Sequence, residues 1–217
     1  MERHRLRITL TEEMLGTKSA DPDIVREYIA SKRPEGIDES EVEAVERLGL
    51  EEELARATTV FSRNAAGEPF IYDYQVIGFF KDACGALRRA PGTLSSGLKA
   101  YKKIIDGLIF VQPREVVARL PEGGAVGWCQ RPLRAQTPQG ERVALARSES
   151  LPIGTTFDLE IVLISATVKD GKDDEKKEKR IDLLEVIEEW LAYGQLHGLG
   201  QWRNSGKGRF AYEWLKA

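Results

Sequence analysis

The sequence predicts an α+β fold with a ferredoxin-like βαββαβ core, an acidic helical insertion and a long β-hairpin. Three observations lead there. Apolar residues alternate with polar ones near both ends of the chain and in a stretch past its middle. Two helical stripes separate strand-like segments. The segments follow one another as strand, insertion, helix, strand, hairpin, strand, helix, strand. At 217 residues the chain fits a single domain, 1–217.

Each element has a local reason. Leu6, Ile8 and Leu10 alternate with Arg5, Arg7 and Thr9, the period of a half-buried strand. Asp21-Pro22-Asp23 suits a helix start. A second helical pattern, 38–56, completes an insertion over 18–57. Thr58–Phe61 reads as a short strand and Asn64–Gly67 as a turn. Gly78–Arg89, GFFKDACGALRR, carries Phe79, Phe80, Ala83, Cys84 and Leu87 at helical spacing. Pro91, Gly92 and Gly97 mark a loop bearing Lys99, Tyr101, Lys102 and Lys103, and Ile104–Val111 reads as an apolar strand. Two arms around Thr137-Pro138-Gln139-Gly140 form the hairpin, 127–148. Phe157, Leu159, Ile161 and Leu163 alternate in a strand over 156–167. Ile181–Tyr193 is an amphipathic helix, and Phe210, Tyr212 and Trp214 alternate in a final strand.

Composition excludes several functions. Cys84 and Cys129 are the only cysteines and His4 and His197 the only histidines. A disulfide framework, a Cys- or His-rich metal centre and most His-based triads are therefore not expected, nor is a cofactor. No apolar run reaches the roughly 18 residues of a membrane helix, and MERHRLRITL lacks the pattern of a signal peptide. The expected compartment is a reducing cytoplasm.

Net charge is −3, but it is unevenly distributed. Residues 35–53 hold nine carboxylates against Arg47 alone. Residues 78–147 hold twelve Lys or Arg against five Asp or Glu, an excess of seven. A locally basic centre binds anions by its nearby charge, not by the total; a mixed solvated surface gives the same counts. Three features sharpen the choice. Gly194–Arg209, GQLHGLGQWRNSGKGR, interleaves Arg203, Lys207 and Arg209 with Gly206 and Gly208. Such a loop suits phosphate, and its glycines equally suit a tight turn. The helix with Lys81, Arg88 and Arg89 suits an anion or, alternatively, a core helix with cations reaching out from it. The hairpin carries Arg131, Arg134, Arg142 and Arg147 and suits clamping a strand or plain exposure. Trp128 and Trp202 suit either base stacking or packing. No catalytic constellation stands out. Asp21, Asp23 and His197 are the candidates for a metal-dependent endoribonuclease, although Asp21 and Asp23 also suit a helix cap.

Several of these pieces, in this order, resemble the RAMP superfamily of CRISPR-associated proteins, which build on ferredoxin-like (RRM-like) folds. LRITLTEEMLG is similar to the family's opening strand and turn. YQVIGFFKDACGALR is similar to its P-G-S-S-L-K-G-A-L-R segment, with Lys81 at the helical lysine and Gly85-Ala86-Leu87-Arg88 at the end, but Phe79 and Phe80 replace the two serines. LPIGTTFDLEI resembles a P-x-G-x-x-F lead into a strand, and Gly206-Lys207-Gly208-Arg209-Phe210 resembles the terminal G-x-G-R loop. The resemblance spans most of the chain outside the acidic insertion. It implies single-stranded RNA binding, most like the backbone subunits that polymerise along a guide RNA beside other effector subunits. The implied phosphate contacts are the Lys81/Arg88 helix and the Gly206–Arg209 loop, and the hairpin would be a thumb that interrupts a guide–target duplex. The acidic insertion and the negative total charge suit another reading, a phage-borne relative that mimics or blocks such a subunit as a protein-interaction module; a plain single-stranded nucleic-acid-binding protein is a further alternative.

Overall fold

The computed structural model describes residues 1–20, 58–137, 140–165, 167–169 and 180–216. In chain order the elements are β1 (Glu2–Leu10), β2 (Met14–Leu15), β3 (Lys18–Ser19), β4 (Thr58–Val60), β5 (Ser62–Arg63), β6 (Pro69–Tyr72) and α1 (Asp73–Leu87). A short 3₁₀ turn (Leu94–Gly97) precedes α2 (Tyr101–Leu108), β7 (Ile109–Gln112), β8 (Glu115–Arg119), β9 (Gly127–Thr137), β10 (Gly140–Leu151) and β11 (Thr156–Leu163). Then come β12 (Thr167–Lys169), β13 (Arg180–Asp182), α3 (Leu183–His197), a second 3₁₀ turn (Arg203–Ser205) and β14 (Phe210–Leu215).

The main sheet runs β14–β1–β11, with β7 and β8 both paired to β11 and the path continuing through β6 and β5. All of these neighbours are antiparallel. Together with the helices this is the mixed α+β class that the sequence predicts. Alternation in β1 turns Leu6, Ile8 and Leu10 inward, where they meet Phe157, Leu159 and Ile161 of β11 and Phe210 of β14 in one apolar core. α1 packs against β7 and against α2 and α3. Its buried stripe, Val76, Phe79, Phe80, Ala83 and Cys84, follows helical spacing. Trp190 of α3 is buried against Phe80, and its indole N–H donates to Ser95 Oγ at 2.9 Å. Ser95 in turn donates to Glu189, so the loop after α1 is tied to α3. No described helix is long and apolar enough to cross a membrane.

Several boundaries differ from the sequence reading. Ile104–Val111 is not one strand. The chain is helical through Leu108, because Ile104, Ile105 and Leu108 recur at i, i+1 and i+4 and bury one side of a helix while Lys102 and Lys103 stay exposed. α1 begins at Asp73, five residues early, since the buried stripe starts at Val76 and Gln75 Oε1 accepts the Tyr72 N–H at 2.8 Å. The second helix starts at Leu183, because Asp182 caps it by accepting the Leu184 N–H at 2.7 Å. The hairpin reaches Leu151, beyond 148. Lys18 and Ser19, at the start of the expected insertion, form a strand antiparallel to β4, and Ala20 N–H donates to Thr58 O at 2.9 Å. The described residues on either side of 21–57 therefore sit side by side; the rest of the insertion, like most of the 169–179 loop, lies outside the described residues.

β2, β10, β4 and β3 form a second sheet, with β9 paired to β10. Several of its buried polar groups are matched. Glu149 accepts from Phe61 N at 2.8 Å and from Arg63 at 2.6 Å, and Thr59 and Ser148 share a 2.7 Å hydrogen bond.

The other face of the main sheet is a charge ladder. Arg7 grips Asp158 with two hydrogen bonds of 2.7 and 2.9 Å, Arg119 reaches the same carboxylate at 3.0 Å, and Arg3 pairs with Glu160. Hydrogen bonding to Arg7, opposed by partial burial and aided by the Arg charges, holds the Asp158 carboxyl below its ordinary value. A carboxylate with a depressed folded pKa stabilises above its unfolded value of about 3.9 and loses that contribution as pH falls through the folded value. The thermal midpoint should therefore drop below about pH 4 in part because of this group. Asp158→Asn should cost about 1 kcal/mol at neutral pH and flatten that acid limb; an unaltered limb would show that the ladder contributes nothing.

Candidate nucleic-acid interface

The face of α1 opposite its buried stripe carries Lys81, Asp82 and Gly85, and Arg88 and Arg89 follow in the turn at its C-terminal end, the helix stopping at Leu87, two residues short of the expected end at Arg89. With Tyr101 and Lys102 of α2 they line an open groove of about 660 Å³. Lys81 and Gly85 are four apart and share one side of the helix, and the C-cap Arg88, three further on, continues that side. Gly85 lets α2 approach: a Cβ there would sit 3.2 Å from the Tyr101 hydroxyl. The Arg88 guanidinium lies 5.1 Å from the Tyr101 ring centroid, which fixes its plane without occupying its N–H donors. Arg88, Arg89 and Lys102 are exposed, as are Lys99 and Lys103 at the edge of the same helix pair. Lys81 instead pairs with Asp106.

Asp82 is the residue that sequence reasoning missed. It accepts from Arg203 at 2.6 Å and faces His197 Nε2 at 3.2 Å. It thereby draws the end of α3 and the following loop onto the groove. Tyr193 packs on His197 with ring centroids 4.9 Å apart and planes tilted by 32°. Burial first, and then the Asp82 charge, raises the Tyr193 hydroxyl pKa, so it remains a neutral phenol at physiological pH. These partners are more than a hundred residues from Asp82 along the chain, so no local pattern announces them. His197 thus has a carboxylate neighbour. Asp21 and Asp23, the other catalytic candidates, lie outside the described residues. Among the described residues no group of three His, Cys, Asp or Glu is placed to hold a metal ion.

The glycine-rich loop is built differently from the phosphate cradle its composition suggests. Leu199 N–H donates to Gly208 O and Gly208 N–H donates to Glu13 O, both at 2.8 Å. Gly208 is buried at φ +73°, and a Cβ on it would lie 1.9 Å from Leu199 O. The glycine there serves the close approach of two backbone segments, and its N–H is used within the protein. Gly206 ends the 3₁₀ turn, donating its N–H to Arg203 O at 2.8 Å. Lys207 pairs with Glu13, and that hydrogen bond, with another from Ser150, holds the Glu13 carboxyl below its ordinary value. Arg209 is exposed.

On the hairpin, Arg131 is only 7% exposed. It donates to Ser148 Oγ at 3.1 Å and Gln201 Oε1 at 3.3 Å, with its guanidinium 4.8 Å from the Trp202 ring centroid. Burial and these contacts make it an internal brace between the hairpin root and the C-terminal loop. Arg147 lies 4.0 Å from the Trp128 ring centroid, and that ring is 48% exposed. Arg134 and Arg142 pair in register with Val143 and Ala135; their side chains lie outside the described residues. The charge ladder on the main sheet leaves Arg3 and Arg7 tied to carboxylates, with Phe110 of β7 the one exposed aromatic on its four central strands among the described residues.

No family model matches the chain, and no curated protein matches it. Among solved structures it is similar to a chain of the Type III-B Cmr-beta complex bound to cognate target RNA, with a TM-score of 0.50 and 10% identity, over 99% of this chain and 61% of that one. It is also similar to a chain of a Type IV-B CRISPR complex, with a TM-score of 0.43 and 12% identity, over 100% of this chain and 91% of that one. The chain therefore spans about three-fifths of the Cmr-beta chain, and the likeness is one of fold.

The steric account of the glycine loop separates two substitutions. Gly67 at φ +78° has open space around it, whereas Gly208 does not. Gly67→Ala should cost about 1–2 kcal/mol from backbone conformation alone. Gly208→Ala should cost a further ~2 kcal/mol or more from overpacking. Equal urea midpoints for the two variants would refute a packing role for Gly208.

Proposed function

We propose that this chain is a non-enzymatic RNA-binding subunit of a CRISPR-type effector ribonucleoprotein, one that repeats along a guide RNA beside other effector subunits. The observation that carries the reading is the convergence of Arg88, Arg89 and Lys102 with Lys81 on one groove, onto which Asp82 draws Arg203. Three exposed cations on packed helices match a chain of phosphates, and fork-shaped guanidiniums match phosphate oxygens well. Lys99 and Lys103 extend the same charge, Arg209 is a further exposed cation, and Lys207 and Arg131 shape the loop and the hairpin root from within.

The strand order β14–β1–β11–β7, with α1 between β1 and β7 and α3 between β11 and β14, suits a ferredoxin-like RAMP unit. The Cmr-beta likeness supports the same architecture at the level of fold. In this reading β9 and β10 form the thumb that kinks the bound strand, residues 21–57 stand off the RNA path as a site for a protein partner, and the protein works in the cytoplasm.

A second reading, a protein-interaction module that mimics such a subunit, is favoured by a specific fact. Lys81, Arg203 and Lys207 are each held by a carboxylate, and the chain is anionic overall. It predicts no retention of RNA even at low salt. The RNA-binding reading predicts that a fluorescent uridine 20-mer binds with a steep salt dependence. Arg88→Ala, Arg89→Ala and Lys102→Ala together should lower the slope of log K against log salt by about 2, at roughly 0.7 per lost phosphate contact. Asp82→Asn, which removes a negative charge from the groove wall, should tighten binding. An unchanged slope in the triple variant would displace the RNA from this groove.

A further inference from the structure

Trp202 braces Arg131 with one face of its ring and combines this with two features that such a brace does not require. Its φ of +57° lies in the left-handed region, which is costly for a bulky side chain. Its ring is nevertheless 38% exposed. One face is backed by the buried Arg131 guanidinium, which Ser148 and Gln201 hold in place. The next residue, Arg203, is hydrogen-bonded to Asp82 on the groove wall. The indole therefore stands where the cationic groove meets the hairpin root. A strained backbone that holds an aromatic ring half out of the protein, with a cation fixed behind it, is an arrangement for receiving something flat on its free side.

We propose that Trp202 is a stacking platform for one nucleobase of a single-stranded RNA whose phosphates run along the Arg88/Arg89/Lys102 groove. This rests on the RNA-binding reading above and assigns the base contact within it. Every base offers a π-face, so the platform carries little sequence preference. The fixed guanidinium beneath the indole holds the ring in one plane, so little ordering remains for the base to impose. Trp128, the other exposed tryptophan with an arginine on it, lies on the opposite face of the strand pair: Trp128 and Arg147 belong to one alternation of β9 and β10, and Arg131 and Ser148 to the other. It serves as the internal control.

The test uses the full-length chain, the uridine 20-mer and three variants. Trp202→Gly removes the ring and suits the positive φ; Arg131 loses its aromatic cover but keeps its bonds to Ser148 and Gln201, and the circular-dichroism spectrum and thermal midpoint check that the fold is retained. It should weaken binding about tenfold to a hundredfold with the salt slope unchanged, because a base contact and no phosphate contact is lost. Trp202→Phe keeps a π-face and should bind within about threefold of the parent while losing part of the RNA-induced quenching of tryptophan fluorescence. Trp128→Phe should keep that part. If Trp202→Gly binds within twofold of the parent, the stacking assignment is wrong although the groove stands. If it lowers affinity and slope together, the ring only positions the arginines and the assignment is again wrong. If the parent chain fails to bind RNA, both readings fall.

Discussion

The arrangement depends on how α1 is seated. Val76, Phe79, Phe80, Ala83 and Cys84 sink one side of the helix into the core, where Phe80 and Trp190 are fully buried. Burying a side chain of that size contributes about 1.5–3 kcal/mol relative to leaving it exposed. With 3.6 residues per turn, a helix that must bury those positions turns 81, 82 and 85 to the opposite side and hands the chain on to Arg88 and Arg89 beside them. The cationic surface is thus the geometric complement of the apolar stripe. Its orientation is as rigid as the core beneath it.

The same constraint places the second wall. Gly85 admits Tyr101 against α1, and Tyr101 presents its ring to Arg88. Gly194 in α3 faces the rings of Phe79 and Phe210, where a Cβ would lie 2.6 Å and 2.3 Å from their Cζ atoms, so α3 also approaches closely. α3 ends at His197 beside Asp82, which lets the following loop return across the groove with Arg203 and Trp202. Small residues at the helix contacts set the distances, and carboxylates fix where the loop's cations rest.

Much of this was legible in the sequence, and the gaps have physical causes. The period-2 alternation of β1, β11 and β14 and the stripe of α1 are local signals, and they placed the core strands and the helix carrying Lys81, Arg88 and Arg89. The segment 104–111 misled because a short apolar run suits a strand or a helix until its neighbours are known; Ile104, Ile105 and Leu108 fit the helix only once α1 lies beside them. The glycine loop was visible as a cluster, but Gly208 owes its identity to Leu199 and Glu13, contacts no spacing reveals. Arg131 read as an exposed cation because its burial depends on Trp202 and Gln201 from the far end of the chain. Asp82 carries no local signal, and only folding brings His197 and Arg203 to it.

An anionic protein that grips an anionic polymer needs its cations on one face and their competing carboxylates few and placed. The most direct measurement is ultraviolet cross-linking of the purified chain to a uridine 20-mer, with cross-linked peptides identified by mass spectrometry. Cross-links should fall on the 81–103 segment and on the loop around Trp202. Cross-links confined to the Arg3–Arg7 ladder of β1 and β11 would contradict the account, because the RNA would then lie on the opposite face of the sheet.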